Sequence, residues 1–430
     1  MSHDNDAKTD VKRRRLLQGS FGLAASLSGM CHSAWAQQGL AKPGGYDLLI
    51  IGARVIDPSQ DLDKVVDIAI SRGKVMEIGA NLPADKAAQK IDAKGRLITP
   101  GLVDLHAHTY PQGSAIGLPA DELAQFTATT TFVSAGDAGA NNFSAFKHYI
   151  QAQARSRMYA FIHISSIGLA GFPVGEMKNM DYANIDLAAR TLDQNQDIAL
   201  GIKVRESLDV VGDNGIEPLR RARLAAERSG VKGARVMCHI GNAPGDLGDL
   251  LNLLRPGDIL THVYSGAGNN TVQNGKVIAA ALEAKKRGVL IDVGHGGGSF
   301  DFTVAEPALQ QGLTPDTISS DLHAYSGNSP SIPFLPQVVS KFLTLGFTLK
   351  QAIAMATVRP AEIINRAPLV GTLKVGAPAD IAIFDLVEKP VEWLDTKGNK
   401  RAGPVSLVPV QTIRAGVPFG RPFPSPFAYP

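Results

Sequence analysis

The chain has 430 residues, which is too long for one small domain and allows a large buried core. With 44% hydrophobic and 19% charged residues, its composition is that of an ordinary globular protein. The formal net charge is only +3, and basic and acidic residues are interspersed, which excludes the basic patch or stripe that nucleic-acid binding needs. A small molecule is therefore the expected ligand.

The first 36 residues have the layout of an export signal. A basic stretch at 12–15 precedes two leucines and an apolar, Gly/Ala-rich run that is shorter than the roughly 20 residues of a membrane span. The paired arginines followed by leucines resemble the twin-arginine export motif, and Ala34-Trp35-Ala36 predicts cleavage after Ala36. We expect a periplasmic or exported protein that uses the twin-arginine export machinery and keeps no stable membrane anchor. The alternative is a disordered basic tail with a chance apolar run.

Short β-type runs occupy both ends of the remaining chain. They lie at 48–55, 65–71 and 74–78, and again at 379–384 and 411–415. No helical period interrupts residues 46–98. We interpret residues 37–98 and 366–430 as one small composite β-sandwich domain.

The middle of the chain alternates apolar strand-like runs with helix-like stretches, as βα units do. Eight strands are predicted, at 102–105, 129–134, 158–164, 200–204, 235–239, 259–262, 289–293 and 317–321. Helical patterns lie at 217–228 and 276–287, and Thr348 with Gln351 predicts a capping box. Eight units favour an α/β fold of the (β/α)₈ TIM-barrel type over 99–365, since an open doubly wound sheet more often has five or six strands.

Two histidines close the first predicted strand. It ends Asp104-Leu105-His106-Ala107-His108, and side-chain alternation along a strand places His106 and His108 on the same side. Alone, a His-x-His sequence fits a polar strand end as well as a pair of metal ligands. Its place at the carboxyl end of a barrel strand, where active sites of this fold lie, favours ligands.

Four later strands also end in a polar residue, namely Lys203, His239, His262 and Asp321. Imidazole with carboxylate suits Zn²⁺ or a similar first-row ion, so these residues and the His-x-His pair predict a metal site. A buried, unpaired lysine tends to lose its proton, and a neutral amine reacts with carbon dioxide to give a carbamate that can bridge two cations. The alternative for Lys203 is an ion pair with a barrel carboxylate such as Asp321.

These motifs resemble the amidohydrolase superfamily, in particular its two-metal members with a carboxylated lysine. The resemblance covers nearly all of the chain after residue 36 and rests on residues 98–108, on the polar strand ends and on residues 356–361 and 371–381. It implies two divalent ions, with zinc expected. One is held by His106, His108 and Asp321, the other by His239 and His262, and a carbon dioxide-derived carbamate on Lys203 bridges both. It further implies attack by a metal-bridging hydroxide, with Asp321 as the proton shuttle.

Five further residues are candidates for substrate binding: Arg205, Tyr264, His323, His295 and His163. Period-two alternation puts the first three beside strand-end ligands if the strands continue. His295 lies in the glycine-rich run after the seventh strand, and His163 lies near the end of the third. Arg205 could clamp a substrate carboxylate with paired hydrogen bonds, or form a salt bridge at the rim.

The runs at 201–205 and 319–323 resemble the deacetylase-type branch of the superfamily. That resemblance implies a hydrolase of carbon–nitrogen (non-peptide) or ester bonds that removes the acyl group from a small acylated amino or hydroxy acid. The alternative is a cyclic amidohydrolase, similar to dihydroorotases and hydantoinases, which opens a ring with the same metals. A minor alternative is a non-catalytic binding protein on this fold. The sequence is also compatible with a homo-oligomer.

Overall fold

The computed structural model describes residues 45–420. The export signal predicted at 1–36 lies outside the described residues, so its cleavage and the route of export stay predictions. Within the described part of the chain, no helix is long and apolar enough to cross a membrane.

The described residues form nineteen strands and eleven α-helices. The strands are β1 (Tyr46–Asp57), β2 (Leu62–Ser71), β3 (Lys74–Gly79), β4 (Ala87–Asp92), β5 (Leu97–Pro100), β6 (Leu102–Ala107), β7 (Thr129–Gly139), β8 (Arg157–His163), β9 (Ala199–Glu206), β10 (Arg235–Ile240), β11 (Ile259–Thr261), β12 (Val272–Gln273), β13 (Lys276–Val277), β14 (Leu290–Asp292), β15 (Ile381–Val387), β16 (Val391–Leu394), β17 (Lys400–Gly403), β18 (Ser406–Arg414) and β19 (Val417–Pro418). The helices are α1 (Ala120–Thr127), α2 (Phe143–Ala145), α3 (Ile185–Gln194), α4 (Leu208–Val211), α5 (Glu217–Arg228), α6 (Leu247–Leu253), α7 (Ala279–Lys286), α8 (Phe302–Gln310), α9 (Leu335–Thr344), α10 (Leu349–Met355) and α11 (Val358–Ile363).

Seven of the eight predicted barrel strands form one parallel sheet, in the order β14-β11-β10-β9-β8-β7-β6. Helices such as α3 and α5 pack on its outer face. The helix predicted at 217–228 matches α5, and the capping box at Thr348 is confirmed at the start of α10. The helix predicted at 276–287 is shorter, because residues 276–277 pair as β13 before α7 begins.

The eighth predicted strand, 317–321, closes the barrel without forming a regular strand. Thr317 bridges Asp292 of β14 in parallel, and Leu322 bridges Ala107 of β6. Between these bridges Asp321 has a φ of +48°, which breaks the extended backbone. Its amide still donates to the His106 carbonyl at 2.7 Å, so the first and eighth segments meet. The fold is the predicted TIM barrel.

Strands from both chain ends form a second, eight-stranded sheet. Its order is β19-β18-β15-β5-β1-β2-β3, with β4 added on β1. Apolar side chains from these strands, among them Ile50, Ile68, Ile98, Ile383 and Ile413, pack into a hydrophobic core separate from that of the barrel. The composite β domain expected from the two ends is therefore present, whereas its predicted boundaries stay predictions.

Candidate active site

The His-x-His pair projects from the carboxyl end of β6 into the barrel mouth. The Nε2 atoms of His106 and His108 lie 3.3 Å and 3.0 Å from the same Asp321 oxygen, Oδ1. Both histidines are buried. The alternation expected from the sequence thus brings both imidazoles to one point, and the carboxylate that closes the barrel meets them there.

The remaining predicted ligands gather around that point. Ligand atoms of His106, His262 and Asp321 lie within 4.8 Å of one another. The ring of His262 is 4.2 Å from that of His239 and 5.0 Å from that of His106, measured between centroids. Lys203 Nζ lies 3.3 Å from His106 Nε2. Six side chains that are far apart in sequence therefore surround one small volume.

The outer nitrogens of these histidines are held by acceptors. His108 Nδ1 donates to the Asp137 carboxylate at 2.9 Å, and His262 Nδ1 donates to the Gly294 carbonyl at 2.6 Å. Each Nδ1 must carry its proton, so the neutral form of each imidazole has its lone pair on Nε2, which faces the other ligands. His262 Nε2 is buried and has no hydrogen-bond partner among residues 45–420. Such a donor set fits a zinc-like ion.

The ionisation of these groups suits metal binding in most cases. Burial lowers the pKa of His262 to about 4, and burial also holds the pKa values of His106 and His239 well below the ordinary value, so these imidazoles are neutral. Burial opposes the charge on His108 too, but Asp137 and Asp321 raise its pKa to about 9. Metal binding at His108 must therefore release a proton.

Lys203 and Asp321 are the two groups of the cluster that differ most from ordinary surface residues. Burial lowers the pKa of Lys203 to about 8, although Asp321 opposes this change. For Asp321, burial favours the protonated form, but the protonated His108, 3.0 Å away, holds the carboxyl pKa well below its ordinary value. The site therefore holds a readily deprotonated amine beside a firmly ionised carboxylate.

A cavity of about 190 Å³ opens above the cluster. Its wall includes Arg205 and His323, two of the predicted substrate-binding residues, and the apolar side chains of Ile116, Leu169 and Phe172. The backbone of Gly297, Gly298 and Ser299 completes the wall. A cavity of this size suits a small substrate.

Arg205 is fixed by a buried carboxylate that the sequence did not reveal. Its Nη1 lies 3.2 Å from each Glu176 oxygen, and the 15% exposed side chain lines the cavity. Burial alone would raise the pKa of Glu176, but Arg205 and His163 lower it to about 2. His163 Nε2 lies 3.3 Å from Glu176. His163 thus contacts the carboxylate that holds Arg205, and it does not line the cavity.

Two other predicted substrate-binding residues lie away from the cavity. The backbone of His262 has a φ of +68°, so β11 ends at Thr261 and the alternation does not extend to Tyr264. The Tyr264 hydroxyl donates to the Leu313 carbonyl at 2.8 Å inside the core. His295 stacks on Phe300 with its centroid 4.7 Å away, and its Nε2 accepts from Lys341 Nζ at 2.8 Å.

Sequence reasoning missed Asp137 and Glu176 for different reasons. Asp137 is a charged residue inside the apolar run of β7, a signal of the same kind as the polar strand ends, and could have been found. Glu176 lies between β8 and α3, in a segment without strand or helix periodicity. Nothing in the local pattern there predicts a buried carboxylate.

Glu206, at the end of β9, is a buried carboxyl group outside the ligand cluster, and its ionisation should affect the stability of the fold. It is fully buried, and burial raises its pKa from 4.5 to about 8. Between pH 4.5 and about pH 8, Glu206 keeps its proton in the folded protein but has lost it in the unfolded chain. Glu206 therefore makes the stability of the fold decrease as the pH rises through this range. For Glu206→Gln we expect a Tm advantage over wild type that grows by roughly a few degrees from pH 5 to pH 8.5. Parallel Tm curves in thermal melts would contradict the expectation.

Comparison with known proteins agrees with this geometry. The sequence profile of the amidohydrolase family matches residues 299–417. A deacetylase of Agrobacterium fabrum is 35% identical over 76% of this chain and 80% of its own length. A deacetylase of Brucella anthropi is 34% identical over 78% of this chain and 83% of its own length.

Solved structures agree as well. A crystal structure of an adenine deaminase has a TM-score of 0.79 and 30% identity, covering 87% of this chain and 99% of the other. One of a dihydroorotase has a TM-score of 0.78 and 30% identity, covering 87% and 97%. Because the barrel, the buried His/Asp cluster at its mouth and these likenesses all agree, the chain belongs to the amidohydrolase family and is a hydrolase.

Proposed function

We propose that this hydrolase uses divalent metal ions to remove the acyl group from a small acylated amino or hydroxy acid. The observation that carries the proposal is the convergence of four histidines, Lys203 and Asp321 beneath a cavity lined by Arg205. The likeness to two proteins named deacetylase over most of their length supports the type of reaction.

The residues would hold the metal in two sets. His106, His108 and Asp321 would hold one ion, and His239 and His262 would hold the other. Lys203, once it has lost its proton and reacted with carbon dioxide, is an anion that can contact both. When bound, such ions lower the pKa of water towards about 7 and polarise the substrate carbonyl, and zinc suits this donor set.

Asp321 is the group that moves the proton. Its carboxylate stays ionised at neutral pH, because the protonated imidazole of His108 lies 3.0 Å from it. We infer that it accepts the proton of the attacking water as the new carbon–oxygen bond forms at the acyl carbon. It then delivers that proton to the leaving nitrogen or oxygen as the acyl bond breaks. The products are a free acyl acid and the amino or hydroxy acid.

Arg205 sets the substrate class in this proposal. Only its Nη1 is bonded to Glu176, and the guanidinium lines the cavity, so its other N–H groups are available to a substrate carboxylate. A charged partner also keeps the arginine in place when no substrate is bound.

For Arg205→Met we expect KM for an N-acetyl or O-acetyl acid to rise by roughly 10- to 100-fold, with a smaller change in kcat. The matched control is the same acetyl compound with its carboxylate converted to an amide. On that neutral compound, wild type and variant should differ little. If steady-state kinetics showed the same rise in KM for both compounds, Arg205 would not be the group that binds the substrate carboxylate.

The proposed activity is tested by metal content and product identity together. We expect two zinc-like ions per mature chain and acetate release from a panel of N-acetyl amino acids and acetyl hydroxy acids. Two ions with no acetate, but with opening of dihydroorotate or a hydantoin, would favour the cyclic amidohydrolase alternative. That alternative rests on the dihydroorotase structure and on a 25% identical dihydroorotase of Geotalea daltonii. Absence of hydrolysis even after zinc is added would favour a binding protein.

We propose in addition that the chain is exported through the twin-arginine machinery. The paired arginines at 14 and 15 support this route. For Arg14→Lys combined with Arg15→Lys we expect uncleaved precursor in the cytoplasm and a large loss of periplasmic protein, measured by cell fractionation. An unchanged periplasmic yield would exclude this route.

A further inference from the structure

Asp292, at the end of β14, is a buried carboxylate that is not among the candidate ligands. It accepts three hydrogen bonds from hydroxyl groups. Thr261 and Ser319 each donate to its Oδ2 at 2.7 Å, and Thr317 donates to its Oδ1 at 2.6 Å. All four residues are essentially inaccessible to solvent. A carboxylate with so many donors in the core fixes the direction of every O–H bond around it.

One branch of this network ends at His106. Thr261 Oγ1 lies 2.9 Å from His106 Nδ1. Because the single hydroxyl proton of Thr261 points to Asp292, its oxygen must accept from His106, so the proton of this imidazole sits on Nδ1. The lone pair of His106 is then on Nε2, the atom that lies 3.3 Å from Asp321.

A second branch ends at His262. Ser319 gives its hydroxyl proton to Asp292 and accepts from the Gly294 amide at 2.9 Å. The carbonyl of Gly294 in turn accepts from His262 Nδ1 at 2.6 Å. A Cβ at Gly294 would lie 2.3 Å from Thr261 Oγ1 and 2.8 Å from His262 Nδ1. Glycine is therefore required where the two branches approach each other.

We propose that Asp292 is a positioning residue for two ligands, one in each proposed metal set: it sets the tautomer of His106 and the orientation of His262. It acts on His106 through Thr261 and on His262 through Ser319 and Gly294. This inference rests on the proposed metal centre. Removing a partner of this kind behind a ligand typically weakens metal binding by about 10- to 100-fold.

The chain offers a matched control for the test. Thr317→Val removes a hydroxyl donor from the same carboxylate, but Thr317 lies on neither branch. Thr261→Val removes the branch to His106, and Ser319→Ala removes the branch to His262. Asp292→Ala removes the oxygen that accepts from both Thr261 and Ser319, so it disturbs both branches.

Two measurements on the mature holoenzyme separate these roles. Competition with a chromogenic chelator gives the affinity of each zinc ion, and ¹⁵N chemical shifts of the imidazoles give the tautomers after chelation. We expect Thr261→Val and Ser319→Ala each to weaken the binding of one ion by about 10- to 100-fold, and Asp292→Ala to weaken the binding of both. Thr317→Val should keep wild-type affinities, and Thr261→Val should lose the Nδ1–H form of His106.

The outcomes distinguish the inference from the proposed function. Suppose that wild type binds two ions and that Thr261→Val and Ser319→Ala bind zinc as tightly as Thr317→Val does. The positioning role of Asp292 is then wrong, whereas the proposed metal centre stands. If wild type binds no zinc, the metal centre itself is wrong. Should Asp292→Ala fail to fold, the comparison among the three hydroxyl variants still decides the question.

Discussion

Lys203→Ala is expected to lose bound metal and to lower kcat/KM by about three orders of magnitude or more. The reason is that the variant removes the one side chain proposed to contact both ions, and metal chemistry contributes several kcal/mol to such reactions. Inductively coupled plasma analysis of metal content and steady-state kinetics check this result. A short carboxylic acid added to the variant should restore part of the activity, because it can replace the carbamate in the space left by the side chain.

Lys341→Met is the control for this experiment. Lys341 is also buried, and burial lowers its pKa to about 7, but its Nζ bonds to His295 and it does not line the cavity. That variant should lose stability and keep its zinc. Full activity in Lys203→Ala, or equal loss of metal in both variants, would contradict the bridging role.

Asp321→Asn is expected to keep much of the metal and to lower kcat by roughly 10²- to 10⁴-fold, the usual range for loss of general acid–base catalysis. The amide oxygen can still contact an ion, but the side chain can no longer accept a proton from the attacking water. Metal content and kcat, measured on the same preparation, separate these two roles.

Asp209→Asn, at an exposed position of helix α4, serves as the control for a lost carboxylate and should have wild-type kcat. Near-normal turnover in Asp321→Asn with metal retained would remove Asp321 as the proton shuttle. Loss of metal in parallel with turnover would instead limit its role to ligation.

Strand alternation correctly predicted the direction of a side chain wherever the strand extends as far as that residue. β6 carries His106 and His108 into the barrel, and β9 extends to Glu206, so Arg205 lies on the same side as Lys203. Alternation did not extend to Tyr264, because the backbone turns at His262. Local sequence gives no sign of such a turn, since a positive φ at a non-glycine residue is imposed by surrounding contacts.

The cavity wall could not be predicted from periodicity. Ile116, Leu169 and Phe172 lie in loops, where no repeating pattern shows which side chain faces inward. Glu176 and Asp292 matter through partners that are distant in sequence, and a single sequence does not display those pairs. The barrel and its polar strand ends were predictable, whereas the supporting carboxylate of Arg205 and the hydroxyl network behind the histidines required coordinates.

The closing contact of the barrel has a consequence for folding. His108 and Asp321 are 213 residues apart in the chain, yet their side chains meet at 3.0 Å where the first and eighth segments join. A contact of such high sequence separation slows folding, because the entropy of closing the long intervening loop must be lost before the contact forms. No nascent or truncated chain that lacks the eighth segment contains the complete proposed ligand set, so full metal affinity would report that the barrel has closed.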